Sequence, residues 1–135
     1  MNLFADTSVW SLTLRRDDPQ SEPPVVALIA ALEGSQAVFT TGLVLQELLQ
    51  GFVRPRARDQ VIDKLSALPL LVPELEDHIE AAELRNRCRR AGVQVDTVDV
   101  LLAHLCIRYD LTLLTVDRDF THIARHEPLR LWKAR

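Results

Sequence analysis

Short apolar segments alternate along the chain with longer segments whose leucines repeat at helical spacing. The short segments have the length and composition of strands, and the longer ones have the periodicity of helices. The pattern predicts strands over residues 2–5, 37–40, 68–72 and 112–116, and helices over 21–33, 42–52, 57–68, 74–91 and 98–110. Because helices separate the strands, we expect an α/β fold, a three-layer α/β/α domain with a mostly parallel central sheet.

Start and stop signals support several of these boundaries. Pro23 suits the first turn of a helix, and Gly34 follows that helix. Gly92 is placed to end the long helix, and Thr97 is expected to cap the next one. No repeat, low-complexity stretch or linker interrupts the pattern, so we expect a single domain over residues 1–135.

Composition indicates a soluble globular protein, with 47% hydrophobic and 26% charged residues. No segment reaches the roughly 18 uncharged apolar residues that a membrane span needs. The N-terminal sequence MNLFADTS has no basic region before its apolar residues, so we expect a cytoplasmic protein rather than a secreted one. Cys88 and Cys106 have no CxxC spacing and are expected to be buried thiols.

The net charge of −3 argues weakly against nonspecific coating of nucleic acid. The basic residues are nevertheless almost all arginines, and many are clustered: Arg15 and Arg16; Arg54, Arg56 and Arg58; Arg85, Arg87, Arg89 and Arg90. The guanidinium group binds phosphate and carboxylate equally well. Any one cluster can also be an ordinary solvated helix face.

Acidic residues stand where parallel strands are expected to end. Asp6 follows the first strand, Asp117 follows the segment LLTV, and Asp99 lies in the first turn of a helix. Ligands of such sheets bind outside the carboxyl ends of the strands, so these residues are expected near one edge. Glu47 lies among the leucines of GLVLQELLQGF, where an unpaired buried carboxylate is costly.

Each acid also has a structural explanation. Asp6 can cap a short helix around Val9, Asp99 can favour a helix N-terminus, and Asp117 can form an Asx turn. For Glu47 the structural alternative is an ion pair with an arginine. The joint pattern is what argues for a site.

Four converging carboxylates repel one another, by about 1 kcal/mol per pair at 4 Å in water and about 4 kcal/mol at an effective dielectric of 20. A cation removes this conflict. Oxygen ligands alone suit Mg²⁺ or Mn²⁺. We therefore expect metal-dependent phosphoester hydrolysis with a metal-activated water as nucleophile.

The chain also resembles a known family. The motifs FADTSVW, LQELLQG and VDVLLAHLCIRYDLTLLTVDRDF and the closing LRLW are similar to those of PIN-domain ribonucleases, specifically the VapC-type toxins of bacterial toxin–antitoxin pairs. The resemblance implies an acidic quartet of catalytic metal ligands: Asp6, Glu47, Asp99 and Asp117. It adds Asp119 as a further ligand, Ser8 as a neighbour that orients Asp6 or a water, and Asp96 as a supporting acid.

The resemblance further implies cleavage of tRNA or ribosomal RNA with Mg²⁺ or Mn²⁺, a homodimer within a possible larger assembly, and inhibition by a cognate antitoxin. The expected RNA-binding residues are Arg15, Arg16, Arg54, Arg56 and Arg118. Antitoxin contacts are expected along Trp10 to Leu14 and Leu45 to Phe52, although most of these leucines also suit the core.

Two other functions fit part of the pattern. A haloacid-dehalogenase-like phosphohydrolase also has an aspartate after its first strand, but it needs a second acid where this chain has Ser8. A catalytically silent module could instead use the acidic pocket to bind a basic segment of a partner. The sequence leaves this second alternative open, because a metal and a partner arginine would use the same carboxylates.

Overall fold

A computed structural model describes residues 1–15, 22–51 and 54–134. Its strands are β1 (Leu3–Ala5), β2 (Val38–Thr41), β3 (Leu70–Leu71), β4 (Thr112–Leu114) and β5 (Arg130–Leu131). Its helices are α1 (Thr7–Thr13), α2 (Pro23–Glu33), α3 (Gly42–Gly51), α4 (Arg58–Ser66), α5 (Leu75–Arg90), α6 (Thr97–Arg108) and α7 (Asp119–Ala124). A 3₁₀ turn at Pro55–Ala57 precedes α4.

The strands form a sheet in the order β3-β2-β1-β4-β5, and every pairing between neighbours is parallel. The expected α/β architecture with a parallel central sheet is therefore confirmed. β1 lies at the centre, with Leu3, Phe4 and Ala5 all buried, because helices cover both faces of such a sheet. Trp10 and Phe120 are also fully buried in this core.

Several boundaries differ from the prediction. The N-cap of α6 is Asp96 rather than Thr97, because the Asp96 carboxylate accepts a hydrogen bond from the Asp99 backbone N–H at 2.8 Å. β4 ends at Leu114, two residues before the predicted end. The predicted strand 68–72 is reduced to Leu70–Leu71.

Both cysteines are buried and unpaired, as expected. Gly92 lies just beyond α5 in the left-handed conformation, with φ 83°, also as expected. Among the described residues, no helix is both long and apolar enough to cross a membrane.

Candidate active site

The sheet order creates a crevice beside its central strand. From β1 the chain continues to β2 and β3 on one side, whereas β4 and β5 lie on the other. β1 and β4 are therefore neighbours at a topological switch point, where the loops leaving the two strands diverge and ligands of α/β sheets usually bind. Asp6 follows β1 directly, and Asp117 lies three residues beyond β4.

Asp6 is held rigidly at this crevice. Its Oδ1 accepts hydrogen bonds from Ser8 Oγ at 2.6 Å and from the Val9 backbone N–H at 3.2 Å, and its Oδ2 accepts one from Thr115 Oγ1 at 2.6 Å. Only 4% of Asp6 is exposed, and burial raises the pKa of its carboxyl group although these hydrogen bonds lower it. Asp6 therefore caps α1 and still directs a carboxylate to the switch point.

Two hydroxyl groups connect the loops after β1 and β4. Thr115 Oγ1 also accepts a hydrogen bond from the Asp117 backbone N–H at 2.9 Å, and Ser8 Oγ accepts one from the Val116 N–H at 3.2 Å. The sequence did not predict this role of Thr115, which lies two residues before Asp117 at the end of the motif VDVLLAHLCIRYDLTLLTVDRDF. These bonds fix Asp6 and Asp117 relative to each other.

Three aspartates converge at the mouth of the crevice. Asp99, Asp117 and Asp119 each offer a carboxylate oxygen, and these oxygens lie within 4.8 Å of one another. Asp99 comes from the first turn of α6, while the Asp119 N–H donates to Asp117 Oδ1 at 2.9 Å in an Asx turn. The turn thus places Asp119 beside Asp117.

The electrostatics of Asp99 reflect the negative charges around it. The pKa of its carboxyl group is raised from 3.8 to about 7, and burial is the largest cause. The remaining causes are the negative charges of four neighbouring acids: Asp96, Asp117, Asp6 and Glu47. Such mutual repulsion is what a divalent cation would relieve.

Glu47 is half-buried on α3, and its Oε1 accepts a hydrogen bond from Thr7 Oγ1 at 2.7 Å. Within the described part of the chain, no arginine forms an ion pair with it, so the structural alternative considered for this acid is not observed there. Its charge reaches Asp99, as the pKa of that residue indicates.

The arginines expected to bind RNA lie at the surface. Arg118 is exposed between Asp117 and Asp119, at the N-cap of α7. Arg15, Arg54 and Arg56 are exposed as well, beyond the ends of α1 and α3. Arg16 lies outside the described residues, as does Phe52 at the end of one expected antitoxin contact. Trp10 in the other expected contact is fully buried.

A second group of potential ligands lies between α5 and α6, where Asp77, Glu80 and His104 also place ligand atoms within 4.8 Å of one another. In this cluster the positive charge already comes from the guanidinium group of Arg108. Arg108 Nη1 donates to both oxygens of Asp77 at 2.7 Å, and His104 Nε2 lies 2.8 Å from Asp77 Oδ1. Burial opposes ionisation of Asp77, but hydrogen bonds from the Glu74 backbone, His104 and Arg108 lower its pKa to about 2.

The two clusters therefore differ in what they can hold. The carboxylate of Asp77 is neutralised by Arg108, and a divalent ion would have to displace that guanidinium. Asp99, Asp117 and Asp119 supply only oxygens, form no ion pairs among the described residues, and retain a repulsion that raises the pKa of Asp99. The donor set at the switch point fits Mg²⁺ or Mn²⁺, which prefer carboxylate ligands.

Comparison with protein families identifies the fold. The model of the PIN domain matches residues 3–126. The chain belongs to the PIN-domain family. The resemblance to PIN domains noted from the sequence motifs is thereby confirmed. None of the curated protein sequences matches this chain significantly.

Solved structures agree with this assignment. VapBC2 from Rickettsia felis, bound to a DNA fragment from its promoter, is 22% identical over 98% of this chain and 100% of that chain, with a TM-score of 0.71. FitAcB from Neisseria gonorrhoeae is 18% identical over 97% and 96%, with a TM-score of 0.66. VapC20 from Mycobacterium tuberculosis, a toxin that cleaves the sarcin-ricin loop, is 20% identical over 89% and 93%, with a TM-score of 0.67. Because each of these structures is only 18–22% identical to this chain, the similarity shows a shared PIN fold and nothing more.

Proposed function

We propose that this PIN-domain protein is a Mg²⁺- or Mn²⁺-dependent endoribonuclease, the toxin of a toxin–antitoxin pair, acting on RNA in the cytoplasm. The observation that carries the proposal is the convergence of Asp99, Asp117 and Asp119 at the switch point beside β1, with oxygens within 4.8 Å. Asp6 and Glu47 contribute negative charge to the same place.

Each residue has a distinct task in this proposal. Asp99 and Asp117 hold the ion, with Asp119 as a further ligand and with Asp6 and Glu47 completing the acidic site. Ser8 and Thr115 keep the Asp6 carboxylate in one orientation through hydrogen bonds of 2.6 Å. Asp96 fixes the first turn of α6, and thereby Asp99, through its 2.8 Å cap.

A bound divalent ion supplies an activated water near neutral pH and neutralises charge that develops on the phosphoryl group. The protein contributes a preorganised arrangement of acids, which need not be reordered when substrate arrives. Arg118, which is exposed between Asp117 and Asp119, is the arginine proposed to contact RNA phosphates at the site, and Arg15, Arg54 and Arg56 are proposed as further contacts on the surface. Their number is small, which is consistent with local phosphate contacts rather than broad electrostatic attraction by a chain of net charge −3.

The proposed partner is an antitoxin protein, and the proposed oligomer is a homodimer. Support for the antitoxin comes from three of the similar structures, which are VapBC and FitAB assemblies. An antitoxin cation placed among the acids would take the electrostatic role of the metal. The substrate proposed is a structured RNA of the tRNA or ribosomal class, the class to which the sarcin-ricin loop cleaved by VapC20 belongs.

Membership of the PIN family favours a nuclease over a haloacid-dehalogenase-like enzyme. The remaining alternative is a silent binding module, for which the acids would only receive a basic segment. The two functions differ in one respect: only the nuclease needs the ion for chemistry.

Purified protein incubated with cellular RNA and Mn²⁺ is expected to generate discrete new 5′ ends, and EDTA is expected to abolish them. Asp117→Asn should lower the rate of RNA cleavage by at least about 100-fold while the protein remains folded, because one ligand of the ion is lost. Mapping the ends after expression in cells identifies the substrate. A wild-type protein that binds a basic partner tightly but cleaves no RNA at any Mn²⁺ concentration would establish the binding module instead.

A further inference from the structure

Thr7 makes a contact that neither helix capping nor core packing explains. Its Oγ1 donates a hydrogen bond of 2.7 Å to Glu47 Oε1, and the two residues are 40 positions apart on α1 and α3. Asp6 is the residue that caps α1, through the Val9 N–H. The hydroxyl group of Thr7 is therefore not occupied in closing the helix end.

The position of Thr7 in α1 leaves its hydroxyl free to reach another element. A threonine inside a helix commonly donates to the carbonyl four residues before it, and Thr13 does so, to the Val9 carbonyl at 2.7 Å. Thr7 is the first residue of α1, so no helical carbonyl lies four residues earlier. Its proton is directed to Glu47 instead.

Glu47 has a long side chain and needs such a partner to keep one orientation. Glutamate loses considerable rotamer freedom when it is ordered, and no arginine among the described residues pairs with this one. The bond from Thr7 occupies Oε1 and leaves Oε2 available for the acidic site. A hydrogen bond to an ionised acceptor is also stronger than one between neutral groups.

We infer that Thr7 is a positioning residue for the metal centre: it orients Glu47 so that the second carboxylate oxygen faces the ion. This inference rests on the proposed function and adds a residue to its machinery. Partners that orient metal ligands typically change metal affinity or activity by about 10- to 100-fold when removed.

The test uses Mn²⁺ alone as the probe, with free Mn²⁺ measured by electron paramagnetic resonance during titration of the full chain. Thr7→Val removes the hydroxyl and keeps the branched shape, so its Kd for Mn²⁺ should rise about tenfold or more. Thr7→Ser restores the hydroxyl and should bind within about twofold of the wild type. Thr13→Val is the matched control, because it removes a helix-internal hydroxyl from the same helix, and it should leave the Kd unchanged.

A second comparison shows whether Thr7 acts through Glu47. Glu47→Gln should weaken Mn²⁺ binding, and adding Thr7→Val to that variant should weaken it no further. Full additivity of the two effects would overturn the inference. Thermal unfolding of the metal-free variants controls for a general loss of structure. Thr7→Val and Thr13→Val should change Tm by similar amounts. Thr7→Ala provides a second removal of the hydroxyl should the valine variant fail to fold.

Asp99→Asn separates failure of this inference from failure of the proposed function. If Asp99→Asn loses Mn²⁺ binding but Thr7→Val binds like the wild type, the inference about Thr7 is wrong and the metal centre stands. If Asp99→Asn binds Mn²⁺ as tightly as the wild type, the proposed metal centre itself is wrong.

Discussion

Two carboxyl groups of this protein have pKa values that their surroundings shift in opposite directions. Asp77 and Asp99 are both removed from water to a large extent, yet the pKa of Asp77 falls to about 2 and that of Asp99 rises to about 7. The difference lies in the partners. Arg108 and His104 surround Asp77, whereas other acids surround Asp99. Asp77 thus joins two helices, and Asp99 is left in need of a cation.

Asp99→Asn should stabilise the metal-free protein at alkaline pH. The folded-state pKa of about 7 lies above the ordinary value of 3.8, so the folded protein holds the proton more tightly than the unfolded chain. Stability is therefore lost as pH rises from about 4 to about 7, and the whole penalty is present above pH 7. Asparagine carries no charge, and we expect a gain on the order of 1 kcal/mol at pH 8.

Urea unfolding in EDTA at pH 8 and at pH 4.5 measures this effect. The advantage of the asparagine variant should be clear at pH 8 and much smaller at pH 4.5, where Asp99 of the folded wild type is protonated. A variant that is less stable than the wild type at pH 8 would contradict the proposed repulsion.

At the residue scale, the sequence predicts the acidic residues of the site better than the hydroxyl residues that hold them in place. Asp6 and Asp117 follow strands that are apolar enough to recognise, so their gathering at one sheet edge can be expected. Thr7 and Thr115 are ordinary hydroxyl residues in sequence, and their value depends on partners 40 and 109 positions away. The Asp77 network is missed for the same reason, since His104 is 27 positions distant.

At the scale of elements, α5 and α6 end in the same way with different residues. The N–H of Val93 donates to the Cys88 carbonyl at 2.8 Å, and the N–H of Leu111 donates to the Cys106 carbonyl at 2.8 Å. In each case the residue just before has a positive φ, 83° for Gly92 and 57° for Asp110. This is the Schellman ending, in which glycine is strongly preferred at the left-handed position.

Asp110→Gly should therefore stabilise the protein. Removing the side chain relieves left-handed strain, and the lost ion pair with Arg130 is exposed and contributes little. Because glycine is also more flexible in the unfolded chain, the net gain is about 0.5 kcal/mol, or a rise in Tm of about 2 °C. Calorimetry should show this rise, with Gly92→Ala lowering Tm as the reverse change. A lower Tm for Asp110→Gly would exclude this account of the α6 ending.

The long helices could be predicted because their periodicity extends over many residues, and the central strands because each is a short apolar run. α1, α7 and β5 contain seven, six and two residues, and their limits depend on contacts with distant parts of the chain. The cap of α6 shows the same difficulty: Asp96 and Thr97 are both good capping residues, and the sequence does not decide between them, whereas the structure has Asp96 as the cap.

At the scale of the whole molecule, the order of the strands produces the site. Alternating helices and strands predict a parallel sheet but do not determine that β1 lies between β2 and β4. That order brings the ends of β1 and β4 together, and α3 and α6 begin close enough for Glu47 and Asp99 to act on the same place. The strand ends predicted that Asp6, Asp99 and Asp117 lie near one edge of the sheet, whereas the role of Glu47 as the fourth member came from the resemblance to the PIN family.

The location of a bound ion tests this account most directly. Crystals soaked in Mn²⁺ and measured at the manganese absorption edge should show an anomalous peak about 2.2 Å from carboxylate oxygens of Asp99 and Asp117. The peak should vanish in Asp99→Asn crystals. A peak instead at Asp77, Glu80 and His104, or no peak at the switch point with Mn²⁺ well above its Kd, would contradict the claim that these converging acids form the metal centre.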